Sequence, residues 1–138
     1  MDKVLDAYAL LAWLQDEPGA SHVDGLLQLA AAGQCRLYAS SINMGEVFYR
    51  LMKLGQRTTA ARFLTEIQVG ELPVRRVSAT DARVDAAAKL KAGHPISYAD
   101  AFAVALAMEL QLPLLTNDPE IVEISRDVDL TLEWTTDR

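Results

Sequence analysis

Cysteine is nearly absent: Cys35 is the only one in 138 residues. That excludes an intrachain disulfide and a multi-cysteine zinc site, and it suits a reducing compartment. Long apolar runs are missing too. The longest, over residues 7–14 and 101–108, fall far short of the ~20 residues a membrane span needs. The opening MDKVLDAY enters a strand at once and lacks a signal-peptide layout, so a cytoplasmic protein with no membrane association is expected. Basic residues are outnumbered 13 to 19, for a formal charge of −6. This argues against a protein that grips nucleic acid mainly through a basic face. An acidic chain can still cut nucleic acid if bound cations neutralise its site. No Gly-rich phosphate loop and no Gly-x-Ser-x-Gly elbow is present. His22 and His94 are isolated from any second His or Cys at ligand spacing, which argues against zinc. His94, in a loop, is a minor candidate for touching substrate.

What is present is patterned apolar sequence. Hydrophobic residues make up 51% of the chain, ample for one domain over residues 1–138, which would bury roughly 68–70% of the unfolded surface. Strand-like runs are predicted at residues 3–5, 35–39, 72–77 and 112–116, with an edge strand within 129–134. Helices are predicted from Ala7 to about Leu14, on to about Ala32 after the Pro18-Gly19 break, and from a Ser40-Ser41 cap to near Gly55. Thr58 or Thr59 is expected to cap a helix to Val69, Ser78 or Thr80 one to about Ala92, and Ser97 one to about Leu110. A short helical turn follows Pro119. Strands alternating with helices predict an α/β fold, a central mostly parallel sheet with helices on both faces. Sites in such sheets gather at the carboxyl ends of the strands.

Four carboxylates fall at or facing those ends. Asp6 directly follows the first strand, where it reads equally as a helix N-cap or a site residue. Glu46 lies one turn into a helix, where the structural reading is an i,i+4 pair with Arg50. Asn43 shares the Glu46 face, so the two can converge on one ligand. Asp100 sits among small apolar neighbours, Ala103 and Val104 at i+3 and i+4. Shedding water there costs several kcal/mol unless the group is paired or metal-bound, about. Asp118 ends the fourth strand and, with Pro119 at N1, also reads as an N-cap. Thr116 points to the same side two residues earlier if the strand continues. Trp13, Phe48, Tyr49 and Phe102 lie on apolar helical stripes and read as core or interface rather than base-stacking platforms.

Brought together, the four acids repel one another, each pair by about 4 kcal/mol at 4 Å separation and an effective dielectric of 20. A hard divalent cation removes that conflict, and Mg²⁺ suits carboxylates plus waters and a substrate phosphate. The chemistry that follows is in-line attack on a phosphodiester.

At this point the residues resemble a known family. Val4-Leu5-Asp6-Ala7, Glu46 within residues 41–47, Tyr98-Ala99-Asp100-Ala101 and Leu115-Thr116-Asn117-Asp118 together are similar to the PIN domain, and more narrowly to VapC-like toxins of type II toxin–antitoxin systems. The likeness runs from Met1 to about Trp134. It implies a three-layer PIN-like fold, Mg²⁺ or Mn²⁺ held by acidic residues, endoribonuclease activity on RNA, a homodimer, and inhibition by a cognate antitoxin protein. By motif, Asp6, Glu46, Asp100 and Asp118 match the family's acidic quartet and Thr116 its frequent polar companion, whereas Asn43 rests on helix geometry. One departure is Tyr8, where many members carry a small Ser or Thr. A basic antitoxin segment over the acidic groove would also account for the acidic pI.

The alternative reading is a PIN-like binding module that keeps the fold and its interfaces without efficient chemistry. The full quartet favours the enzyme. A phosphotransfer receiver fits less well, because the first strand delivers one acid rather than an adjacent pair. Tyr8, Leu11, Trp13 and Leu14, with Val47, Phe48, Leu51 and Met52, exceed a single apolar stripe. They predict a groove for an antitoxin helix, with Trp13 as its anchor if exposed.

Overall fold

Three residues, Lys3–Leu5, form the central strand β1, and its alternation builds both halves of the core. Leu5 joins an apolar cluster on one face of the sheet, and Val4 joins a separate cluster on the other. Successive side chains of a strand point to opposite faces, so a strand buried on both reads as continuous apolar sequence. The computed structural model describes residues 2–134. Met1 and residues 135–138, part of the expected 1–138 domain, lie outside the described residues.

The remaining strands are β2 (Leu37–Ser40), β3 (Arg75–Val77), β4 (Leu114–Leu115) and β5 (Leu132–Glu133). All pairings are parallel, in the order β3-β2-β1-β4-β5. The chain steps outward from β1 through β2 to β3, then returns to the other side of β1 for β4. That reversal opens a crevice between the carboxyl ends of β1 and β4, the place where open α/β sheets bind ligands.

Helices cover both faces. Helices α1 (Ala7–Leu14), α2 (Ala20–Ala31), α3 (Ser41–Lys53) and α4 (Arg57–Val69) send Leu10, Leu26, Val47 and Phe63 into the Leu5 cluster. Helices α5 (Asp81–Gly93), α6 (Tyr98–Leu110) and α7 (Pro119–Ile124) send Ala87, Phe102, Val104 and Ile121 into the Val4 cluster. In α6 the run from Ala101 to Ala107 is buried throughout, and its small alanines let the helix lie close to the sheet. The α1–α2 break depends on Gly19, which takes a φ of 96° that other residues adopt only under strain.

Most caps are where the sequence put them. Asp6, Ser40, Thr80, Ser97 and Asp118 each accept a hydrogen bond from a backbone N–H in the first turn of the helix that follows. Four boundaries differ. The fourth helix starts at Arg57 after Gln56, with no side-chain cap, so neither Thr58 nor Thr59 serves. The second strand begins at Leu37, since Cys35 instead points its thiol at the Leu26 carbonyl, 3.7 Å away. The third begins at Arg75, because Leu72-Pro73-Val74 forms a tight turn in which Val74 N–H donates to the Leu72 carbonyl and proline has no N–H for a ladder. The fourth shrinks to two residues, with Leu112 N–H spent on closing α6 at Ala107.

Candidate active site

Asp6 caps α1 with one carboxylate oxygen and meets β4 with the other. Its Oδ1 accepts the Ala9 N–H at 2.8 Å, and its Oδ2 accepts the Thr116 hydroxyl in a short hydrogen bond. Thr116 Oγ1 in turn accepts the Asp118 N–H at 3.0 Å. With that lone pair engaged, the hydroxyl proton is directed at Asp6. The relay joins the ends of β1 and β4 across the crevice, with Thr116 fully buried and Asp6 only 1% exposed. Burial pushes the Asp6 carboxyl up to about 7; the two hydrogen bonds oppose this, and the charges of Asp100 and Asp118 add to it.

Asp100 stands in the first turn of α6, its N–H bonded to Ser97 Oγ at 3.1 Å. Its carboxyl is also raised to about 7, by burial first and then by its closeness to the Asp118 carboxyl. Two like charges this close disfavour each other's ionised form, so the pair is short of positive charge. Asp118 caps α7 through Oδ1 and Glu120 N–H, 2.9 Å apart. One oxygen from each of Asp100, Asp118 and Glu120 lies within 4.8 Å of the others.

Glu46 reaches in from α3. The expected pair with Arg50 is present at 3.3 Å through Oε2, while Oε1 is buried without a hydrogen-bond partner. Burial raises its pKa, the Arg50 charge lowers it, and the Asp118 charge raises it again. Asn43 shares the buried side of α3 as expected, and its Nδ2 donates to the Ala99 carbonyl at 2.9 Å. It therefore ties α3 to the turn that carries Asp100, and its Oδ1 has no partner among the described residues.

A cavity of about 700 Å³ collects Glu46, Asp100, Asp118 and Glu120 on its walls; Asp6, 1% exposed, does not line it, although its neighbour Ala7 does. Tyr8, Tyr49 and Arg50 also line it, and His94 does not. The donor set is all oxygen, which suits a hard divalent cation. Such an ion would relieve the repulsion between Asp100 and Asp118 and satisfy the Glu46 Oε1. A second cavity, about 350 Å³ between α5 and α6, is mainly apolar, and its one carboxylate, Glu109, is paired with Arg83 at 3.0 Å.

Two sequence-level readings need revision. Glu120 was not singled out, because an acid in a first turn is ordinarily explained by the helix dipole. Its place two residues after Asp118 was the available signal. Of the two roles expected for Tyr49, core and interface, core does not hold: it is 48% exposed and lines the acidic cavity. Phe102 is core, while Trp13 and Phe48 are half-buried against the core, as expected.

Similarities to known proteins agree with this geometry. Solved structures that resemble the chain include VapBC2 from Rickettsia felis bound to a DNA fragment from their promoter, with TM-score 0.73, 19% identity, and 97% of this chain and 98% of that one covered. VapBC-1 from nontypeable Haemophilus influenzae gives TM-score 0.68 at 22% identity, covering 99% and 100%. VapC20 of Mycobacterium tuberculosis, described as a sarcin–ricin loop cleaving toxin, gives TM-score 0.70 at 15% identity, covering 88% and 93%. Identities this low speak for the fold alone. A search among curated protein sequences finds no match. The family model described as PIN domain matches residues 3–127, a span that holds every strand but β5 and all the carboxylates above, and the chain belongs to the PIN domain family.

Proposed function

We propose that this chain is a Mg²⁺-dependent endoribonuclease, with Mn²⁺ as a working substitute, that acts as the toxin of a toxin–antitoxin pair. The observation that carries the reading is the cluster of Asp100, Asp118 and Glu120, one oxygen of each within 4.8 Å of the others, with Glu46 on the same cavity wall. Acids gathered at this cost in a binding scaffold would be hard to explain, since burying unmatched carboxyls destabilises the fold.

Asp100, Asp118 and Glu120 would hold the cation, with Glu46 supplying a further oxygen from α3. When bound, the ion supplies charge neutralisation and Lewis acidity toward phosphodiester oxygens. Asp6 is held in orientation by the Ala9 N–H and the Thr116 hydroxyl, and it keeps a second lone pair on each oxygen for the site. Glu46 Oε1, with no hydrogen-bond partner among the described residues, is the oxygen that would face the ion, since Oε2 is held by Arg50. Arg50, on the same helix, meets the negative charge of the substrate phosphate.

The antitoxin would seat a helix in the cavity of about 330 Å³ between α1 and α3, lined by Tyr8, Leu11, Ala12, Pro18 and Leu54, which shares Tyr8 and Arg50 with the acidic cavity. The groove is narrower than the sequence predicts. Leu11, Val47 and Leu51 are core, and Trp13 packs against it with Nε1 bonded to Asp24 at 3.2 Å. A homodimer is part of the same proposal.

The test is cleavage of total RNA with Mg²⁺, with Mn²⁺ and with excess chelator, for wild type and Asp6→Asn. Cleavage that needs the ion and is lost in Asp6→Asn supports the reading; undiminished cleavage in chelator overturns it. Light scattering of the purified chain checks the dimer, and co-purification with the product of the neighbouring gene checks the partner.

A further inference from the structure

Four tyrosines occur in the chain, and two of them, on different helices, line the acidic cavity. Tyr8 follows Asp6 by two residues on α1 and is 42% exposed; Tyr49 lies three residues after Glu46 on α3 and is 48% exposed. Packing explains neither, since both rings stand outside the two apolar clusters of the core. Resting on the ribonuclease reading above, we infer that Tyr8 and Tyr49 are stacking platforms for the bases that flank the cleaved bond.

Charge makes such platforms necessary. A chain with formal charge −6 offers an RNA backbone little long-range attraction, whereas stacking contributes to affinity without regard to charge. The local cations are few and sit beside the rings. Arg50, half-exposed, adjoins Tyr49 in sequence and lines the same cavity, and the Lys53 ammonium stands over the Tyr49 ring, 5.5 Å from its centroid. A base on a ring and its phosphate on Arg50 or Lys53 is the usual pairing in single-strand grooves. Double-stranded RNA cannot use it, because its bases are stacked on one another and its deep groove is closed to side chains.

A protein partner is the competing occupant. Tyr8 also borders the apolar α1–α3 cavity, so it serves either, but Tyr49 lines the acidic cavity and not the apolar one. Tyr49 therefore discriminates between the two.

Affinity for a short unstructured RNA oligonucleotide of mixed sequence, and for the same strand annealed to its complement, is measured by fluorescence anisotropy with Mg²⁺ in the uncleaving Asp6→Asn background. Tyr49→Ala is expected to weaken single-strand binding roughly 10-fold, with a smaller loss for Tyr8→Ala. Tyr49→Phe, which keeps the ring, is expected to restore it, and melting temperatures should not move. Unchanged single-strand affinity in Tyr49→Ala, equal binding of duplex, or failure of the Phe variant to rescue overturns the inference. If Tyr49→Ala instead keeps RNA affinity and loses the co-purifying protein, the ring belongs to a protein interface and the inference also falls. Cleavage of total RNA by wild type tests the parent reading separately: cleavage with unchanged Tyr49→Ala affinity removes only this inference, and absence of cleavage removes both.

Discussion

The two ends of β1 treat buried charge in opposite ways. At its start, Lys3 has a side chain only 9% exposed, and its ammonium meets the Glu133 carboxylate of β5 at 2.6 Å. Just past its end, Asp6 is 1% exposed and has two neutral donors, Ala9 N–H and the Thr116 hydroxyl, while the nearby charges of Asp100 and Asp118 are negative. Among the described residues Arg50 is the one cation lining the cavity, and Glu46 already engages it. A matched buried pair fastens a fold, here the edge strand β5 to the centre of the sheet. An unmatched cluster raises its own pKa values, and its best remedy is a ligand.

The sharpest way to break this comparison is to neutralise one acid of the cluster. Asp6→Asn or Asp100→Asn should lower RNA cleavage by roughly 10⁴-fold while the metal-free variants unfold at the same or slightly higher urea concentration than wild type. Full activity in either variant with metal present would remove that residue from the site.

Next comes pH. The folded Asp6 carboxyl titrates at about 7 against 3.8 when unexposed to the fold, so the folded state holds a proton that the unfolded state releases. Its contribution is complete below the lower value and lost as pH rises through the upper one, amounting to about 4 kcal/mol by linkage. Asp100 and Glu46 shift in the same direction. The metal-free protein should therefore melt at lower temperature at pH 8 than at pH 5, and saturating Mg²⁺ should recover most of the loss at pH 8. A melting temperature that is flat or rising from pH 5 to 8 without metal contradicts the unmatched cluster.

At the other end of β1, Glu133→Gln leaves the Lys3 ammonium buried without its carboxylate. Stability should fall by about 1–3 kcal/mol, the lower range reflecting the part-exposed Glu133, with cleavage per folded molecule unchanged. Loss of activity without loss of stability would invert the roles of the two ends.

The smallest effect is expected from Thr116→Val, which keeps the shape and removes the hydroxyl. Mg²⁺ affinity should drop about 10-fold, as for other residues that orient a ligand. The pH–rate profile should move to higher pH, since the lost hydrogen bond was lowering the Asp6 pKa. An unchanged metal titration would show that the Asp6–Thr116 contact does not orient the site.

Much of this was legible in the chain. The caps Asp6, Ser40, Ser97 and Asp118 were readable because a short polar side chain before an apolar period has a local reason to be there. Asp100 stood out because a carboxylate on a small apolar stripe has none. Strand limits were less legible: Leu72 and Val74 are apolar and buried, yet Pro73 bends them out of the ladder. Glu120 and Tyr49 have ordinary local explanations, a helix dipole and an apolar stripe, and only the cavity they share gives them another.

By itself, then, the sequence determined the alternation of strands and helices, most helix starts, and which acids follow which strands, since capping and periodicity act over a few residues. Tertiary structure decided everything that depends on separation in space. The reversal of the chain from β3 to β4 put Thr116 against Asp6, 110 residues away, and brought carboxylate oxygens of Asp100 and Asp118 within 4.8 Å of each other. It also paired Lys3 with Glu133 across 130 residues. Charge interactions and desolvation follow distance and burial, which no local pattern specifies, and so the difference between the two ends of β1 exists only in the folded chain.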